Sequence, residues 1–290
     1  NGTDYLVAWV DDRNSAATGQ DIHAARVQAS DGAVLDATSF VVSNATLTQN
    51  APAAAWNGTT YLVAWSDIRS GGAYDIYVAR VTGAGAVSDP SGIPATGGGN
   101  PQLYPAVGTN GTGYLVAWMD GRPAVAAYDV YAVRLDSTGP VLDPAGIALE
   151  TSVSDASAPS IGSNGTDYLV AWENFVSGQD LFGARVRASD GVALDVPPIV
   201  VSAATGDQDI ATVTSDGTDY LVVFDDTRDG EVDAYGTRVS AATGAVLDTG
   251  FPISGSATVN ESFPSASWNG THYLVAWMDG RRSSAQPARQ

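Results

Sequence analysis

The sequence predicts an all-β fold in which one four-stranded antiparallel sheet is used repeatedly, and three observations carry that reading. The first is a pattern, Asn-Gly-Thr-x-Tyr-Leu-Val-Ala-Trp, which opens at Asn1, Asn57, Asn110, Asn164 and Asn269, with a variant at Asp216. Successive starts lie 56, 53, 54, 52 and 53 residues apart, a period that belongs to propellers and solenoids. The second is the content of each complete unit: four short runs of strand type between turn signals, and no helical 3.6-residue pattern. The third is the central run of each unit, which is apolar on both faces. In Tyr61–Trp65, Tyr61, Val63 and Trp65 point one way and Leu62 and Ala64 the other. A strand buried on both faces has to lie between two other sheets.

The second unit shows the elements in order. Strand A, Pro52–Trp56, runs into Asn57-Gly58, a dipeptide favoured in tight type I′ hairpins. Strand B is Tyr61–Trp65, and a polar loop, residues 67–72, leads to strand C, Asp75–Val81. A turn at Gly83 and Gly85 opens strand D, from Ala86 to about Ala95, and equivalent turns recur at Asp31-Gly32, Thr138-Gly139, Asp190-Gly191 and Thr243-Gly244. The Tyr/Val/Trp face of one sheet meeting the Leu/Ala face of the next packs large against small. Four-stranded sheets repeated about an axis satisfy that demand, so the expected fold is a β-propeller of five to six blades, in a single domain spanning residues 1–290.

The unit resembles the propeller repeat of TolB-type and related bacterial secreted proteins. The matching residues are the strand B run, Asp67-Ile68-Arg69 with Asp75-Ile76-Tyr77-Val78-Ala79-Arg80, and Asp120-Gly121-Arg122 with Asp129-Val130-Tyr131-Ala132-Val133-Arg134. The resemblance covers essentially the whole chain. It implies a propeller with strand A innermost, and it leaves function open, because such propellers serve as scaffolds, binders and occasionally enzymes. With strand A innermost, Phe263–Trp268 offers the inner strand that the first unit lacks, which would close a five-bladed ring. A six-bladed reading leaves the last blade with strands A and B only.

Composition narrows the partners. The 290 residues hold 32 acidic and 13 basic residues, a formal charge of −19, and every basic residue is Arg. Such a surface repels nucleic acid and anionic lipid, and no apolar run approaches the ~20 residues of a membrane span. Without cysteine, disulfides, thiolate metal sites and Cys nucleophiles are absent. The acidic, Lys-free composition and an opening in mid-repeat suggest a secreted or cell-surface protein and a piece of a longer multidomain chain.

Recurrence separates braces from candidate sites. The strand C aspartates (Asp21, Asp75, Asp129, Asp180, Asp233) and arginines (Arg26, Arg80, Arg134, Arg185, Arg238) appear in five units, and a site needs only one constellation. Arg69 is expected to tie the loop to Asp75 with a bidentate bond, and Arg80, Arg134, Arg185 and Arg238 are expected mostly buried and paired, with the strand D aspartates Asp36, Asp89, Asp143, Asp195 and Asp248 as candidate partners. The Asn-Gly-Thr sequons are read as turns, His23 as a packed aromatic substitute, and His272 as a turn residue. In one loop Asp225, Asp226, Asp229, Glu231 and Asp233 crowd into nine residues. Their spacing matches the opening of a calcium loop, so Asp225, Asp229, Glu231 and Asp233 are candidate Ca2+ ligands, although Gly236 stands where the closing Glu belongs.

The D–A connections carry Gln49, Gln102, Asp155, Asp207, Gln208, Asp209, Asn260 and Glu261 just before the inner strands. These eight are candidate ligand-binding residues at the channel mouth, suited to a cation or a hydroxyl-rich ligand. The expected function is a non-catalytic extracellular module that binds carbohydrate or protein, or spaces other domains. The alternative is a propeller glycoside hydrolase, whose mark would be an asymmetric pair of carboxylates at the channel.

Overall fold

The computed structural model describes residues 1–122, 127–152, 154–175, 178–255 and 259–281. Six antiparallel sheets follow one another along the chain, and strands A to D of each complete sheet pair in sequence order. The first holds β1 (Asp4–Asp11), β2 (Asp21–Gln28) and β3 (Phe40–Ser43), and a single helical turn, Ser15–Thr18, lies in its B–C loop where no helix was expected. The second holds β4 (Gln49–Trp56), β5 (Thr60–Asp67), β6 (Asp75–Thr82) and β7 (Ile93–Pro94); the third holds β8 (Gln102–Thr109), β9 (Gly113–Asp120), β10 (Asp129–Asp136) and β11 (Ile147–Glu150). The fourth holds β12 (Asp155–Ser163), β13 (Asp167–Phe175), β14 (Gln179–Arg187) and β15 (Ile199–Ser202). The fifth holds β16 (Gln208–Ser215), β17 (Asp219–Asp226), β18 (Asp233–Ser240) and β19 (Phe251–Pro252), and the sixth β20 (Glu261–Trp268) and β21 (Tyr273–Asp279). The A strands β4, β8, β12, β16 and β20 touch in succession, as the inner strands of a propeller do. Strand D is shorter than expected: after a single bridge, Val81 to Val87, regular pairing in the second sheet resumes only at Ile93.

The core lies between sheets and repeats the large-on-small joint. Leu6 and Ala8 pack with Tyr61, Val63 and Trp65, and Leu62 and Ala64 with Tyr114, Val116 and Trp118. Leu115 and Ala117 meet Tyr168, Val170 and Trp172, and Leu169 and Ala171 meet Tyr220, Val222 and Phe224. Strands B of the second to fifth sheets are buried along almost their whole length as a result.

Ring closure differs from the five-bladed option. β20 pairs with β21 across the Asn269-Gly270 turn, not with β1, and Tyr5 and Leu274 on the two end sheets are 63% and 70% exposed. A hairpin that closes over four residues costs far less chain entropy than a pairing across some 250 residues.

Two local details also depart from expectation. Only the glycine of each Asn-Gly pair has positive φ, for example +95° at Gly58, whereas a type I′ turn needs it at both residues. The turn is instead held by the asparagine: Asn57 Oδ1 accepts from the N–H groups of Thr59 and Thr60, both at 2.9 Å. In the B–C loop Arg69 pairs with Asp67 rather than Asp75. It stacks 4.1 Å above the Tyr77 ring and donates to the Ser91 carbonyl, fastening the loop to strands C and D. Trp65 Nε1 donates to the same Asp67 at 2.7 Å. Asp75 stays buried, and desolvation raises its pKa.

The strand C arginines pair with the strand D aspartates as expected, each gripping both carboxylate oxygens, as Arg134 grips Asp143. Arg134 and Arg185 also reach the next sheet, at the carbonyls of Ala188 and Ala241. Arg238 is the exception to burial at 51% side-chain exposure, because the sixth sheet has no described strand C to cover it.

Candidate functional site

Each inner strand begins with a regular pair to strand B and then shifts register by a bulge, between Asn50 and Ala53 in β4 and between Asp209 and Thr212 in β16. The bulge residue has left-handed φ in all five: Ala51 50°, Tyr104 52°, Ala158 48°, Ile210 51° and Phe263 58°. Non-glycine residues adopt that region at a cost, so the shape is held from outside. At three of the five the holder is a strand B side chain of the preceding sheet. The N–H of Tyr104 donates to Ser66 Oγ (3.1 Å), that of Ile210 to Glu173 Oε1 (2.8 Å) and that of Phe263 to Asp225 Oδ2 (3.1 Å). Bulge residues from four sheets, Ala51, Tyr104, Ala158 and Ile210, line a central cavity of about 470 Å³.

The residue after the strand B aromatic is therefore the position where the sheets differ. It is Val10, Ser66, Met119, Glu173, Asp225 and Met278 in turn. Two adjacent sheets place a carboxylate there, and Asp209, opposite Asp225 in the ladder, adds a third. Both Glu173 oxygens have partners, since its Oε2 also accepts from Ser157 Oγ at 2.9 Å. Asp225 is 3% exposed, and its Oδ1 has no hydrogen-bond partner. Asp209 is half-buried. Burial first, then the charges of Asp209 and Glu173, raise the Asp225 pKa to about 7 against the Phe263 N–H bond. Burial first, then Glu173 and Asp207, raise that of Asp209 to about 6.

The raised pair has a direct consequence for stability. The folded chain keeps protons on Asp209 and Asp225 that the unfolded chain releases above about pH 4. Their contribution is full below that pH and is lost as pH rises through about 6 to 7. Asp36, Asp89 and Asp248, held low by hydrogen bonds from Arg26, Arg80 and Arg238, act oppositely and lose theirs in acid. Calorimetry is expected to give the highest melting temperature near pH 5, falling towards pH 8 and below about pH 4. Replacing Asp225 with Asn should flatten the alkaline limb.

The eight channel-mouth candidates divide. Gln49, Gln102 and Gln208 are closed off from solvent, and their amides brace the D–A connection. Gln49 Nε2 donates to the carbonyls of Ala45 and Leu47, Gln208 Nε2 to those of Ala204 and Gly206, and Gln102 Oε1 accepts from Thr96 Oγ1. Glu261 is likewise buried. Asp155, Asp207 and Asn260 are exposed and accept the N–H groups of Tyr128, Gln179 and Val232 in the preceding sheet. Asp209 alone of the eight joins the carboxylate group, with Asp207 close enough for its charge to be felt. Glu173 was missed as a site residue. Aligning the six units at that column, where acids occur only in the fourth and fifth, would have found it.

The calcium expectation is not met by the geometry. Asp225 turns to the Phe263 amide, while Asp229 accepts from the Tyr235 hydroxyl. Glu231 is exposed and Asp233 buried, so the four point into different surroundings. Among the described residues no three His, Cys, Asp or Glu side chains are grouped to hold a metal ion.

No protein-family model matches the chain, and no curated protein matches it. Among solved structures it is similar to a thermostable family-43 glycoside hydrolase, at 12% identity and a TM-score of 0.50, covering 88% of this chain and 96% of that one. It is also similar to a putative TolB from Agrobacterium tumefaciens, at 17% identity and a TM-score of 0.46, covering 83% and 80%. An endo-arabinanase of Bacillus licheniformis gives 12% identity and a TM-score of 0.47, covering 80% and 94%. At such identities the likeness is one of fold, and the chain is a β-propeller.

Proposed function

We propose that this propeller hydrolyses glycosidic bonds, the second of the two functions read from the sequence, rather than binding a ligand alone. The observation that carries the proposal is the asymmetric carboxylate group, Glu173, Asp209 and Asp225, beside the Ile210 bulge that lines the central cavity. Holding the bulge does not call for an acid, since Ser66 does it with a hydroxyl in the second sheet. Here the equivalent positions of the second and third sheets hold Ser66 and Met119.

Glycosidases need one carboxyl that still carries a proton near neutral pH and a second that does not. Asp209, half-buried and raised to about 6, serves as the proton donor to the departing glycosidic oxygen. Asp207, exposed and two residues earlier, is the second carboxylate, taking a proton from water or bonding to the sugar carbon. Glu173 and Asp225 hold the bulges of the next inner strands, and burial with the charges of Glu173 and Asp207 keeps the proton on Asp209. The negative rim favours a neutral, hydroxyl-rich chain over an anionic one.

The test is release of reducing ends from a panel of neutral polysaccharides by wild type and by Asp209→Asn. Release by wild type that is lost in the variant supports the proposal. Binding without release, or equal release by both proteins, contradicts it.

A further inference from the structure

The fourth unit departs from the repeat in its B–C loop, and the third departs from it at the end of strand D. Two residues beyond the strand B aromatic, the other sheets carry an aspartate bound to an arginine two positions on: Asp11–Arg13, Asp67–Arg69, Asp120–Arg122, Asp226–Arg228 and Asp279–Arg281. The fourth unit has Asn174 and Val176 at these positions. Between the first and second sheets, Arg69 also reaches back to Ser43 Oγ, at the end of the preceding strand D. That strand D position is a small hydroxyl residue elsewhere, Thr96, Ser202 and Ser254, but it is Glu150 in the third sheet. Where the third sheet meets the fourth, the sequence has therefore removed a positive charge and added a negative one.

Three oxygen-bearing side chains gather there, and all are buried: Asp129 is 3% exposed, Glu150 7% and Asn174 2%. Glu150 pairs with Val130, next to Asp129, and its charge follows burial among the causes that raise the Asp129 pKa. Asn174 Nδ2 lies 3.4 Å from Glu150 Oε2. The Asn174 amide thus turns to the preceding sheet and leaves the Trp172 N–H unmatched, whereas Asp67 and Asp120 accept from Trp65 and Trp118. Asp129 Oδ1 and Asn174 Oδ1 have no hydrogen-bond partner. Arg122 also acts on Asp129, but it is already bound to Asp120. Two buried carboxylates beside an unmatched amide oxygen are costly unless a positive charge completes them.

We propose that Asp129, Glu150 and Asn174 bind a calcium ion, which fastens the third sheet to the fourth as Arg69 fastens the second to the first. The donors are all oxygens, two carboxylates and one amide carbonyl, a mixture that calcium accepts together with water. No nitrogen or sulfur donor is among them, which disfavours zinc and copper. The two carboxylate charges match one divalent ion. Asn174 follows Glu173 in β13, but successive strand residues face opposite sides, so this ion does not depend on the hydrolytic reading.

The experiment is titration calorimetry of the full chain, stripped with EDTA, against calcium chloride. One site should be filled, and calcium at about a hundredfold excess over Kd should raise the melting temperature by roughly 5–10 °C. Magnesium should bind more weakly, because it demands a stricter geometry. Asp129→Asn and Glu150→Gln should each weaken calcium binding at least about tenfold, since each removes one of two ligand charges. Glu150→Ser restores the residue type of the other sheets, so it should fold and melt without a calcium response. In EDTA it should melt no lower than wild type, because one of two crowded carboxylates is gone. Asp225→Asn, in the other carboxylate group, should bind calcium as wild type does. A wild type that neither binds nor gains from calcium, a Glu150→Ser that responds as wild type does, or loss of binding in Asp225→Asn would overturn the proposal.

Discussion

Replacing Asp209 with Asn is expected to lower polysaccharide hydrolysis by about 10²- to 10⁴-fold, the usual contribution of a positioned general acid. The amide keeps the size of the side chain and lacks the transferable proton. Loss should fall on kcat, because the proton moves only in the transition state. Melting temperature at pH 8 should not fall, since the variant removes a carboxyl held next to Glu173 and Asp207 charges. A parallel change of Asp143 to Asn is the contrast. It breaks the grip of Arg134 and should lower stability while leaving turnover near wild type. Should Asp209→Asn lose stability but not rate, the carboxyl would be structural.

The largest stability effect is expected at Trp118. The side chain is fully buried between the second and third sheets, and its Nε1 donates to Asp120 at 2.7 Å. Trp118→Ala should cost about 3–5 kcal/mol from lost burial and the remaining cavity, lowering the melting temperature by roughly 6–20 °C for a chain of this size. Trp277 occupies the equivalent position in the sixth sheet but is 37% exposed. Its replacement by Ala should cost less, about 2 kcal/mol, because part of the ring already meets water and no closed cavity is left behind. Equal melting shifts for the two variants would mean that sandwiching between sheets does not determine stability.

The parts of this structure that were legible in the sequence are those that repeat. The period gave the sheets, and the two-faced strand B gave the order of packing, since Leu62 and Tyr61 have opposite neighbours only if sheets lie on both sides. The Arg–Asp pairs of strands C and D were readable because a hairpin brings them opposite each other wherever they recur. What repetition hides is the direction of a side chain within a loop. Arg69 could be placed near Asp67 or Asp75 by sequence, and the choice fell to the residue two positions away, which shares its loop with a tryptophan N–H and a tyrosine ring. The bulge of the inner strands was illegible as well, because Ala51, Tyr104, Ala158, Ile210 and Phe263 have no residue type in common. Only Pro52, Pro105, Pro159 and Pro264, a residue tolerated in strands mainly at edges and bulges, hinted at it. Glu173 escaped for the same reason, since its meaning lies in the contact with the next sheet.

The central claim is that Asp209 and Asp225 titrate near neutral pH beside the Ile210 bulge, while Asp129 of the third sheet, raised by burial and then by the charge of Glu150, titrates at about 6 as well. Carboxyl ¹³C NMR of wild type, Asp209→Asn and Asp225→Asn tests it most directly. Wild type should show two resonances titrating near pH 6, from Asp129 and Asp209, and one near pH 7, from Asp225. One of the two near pH 6 should vanish in Asp209→Asn, leaving that of Asp129, and the one near pH 7 should vanish in Asp225→Asn. In each variant the surviving member of the Asp209 and Asp225 pair should keep an elevated midpoint, because burial is the first cause of both shifts. Titration of Asp209 and Asp225 in the ordinary carboxylate range, about pH 4, would contradict the account.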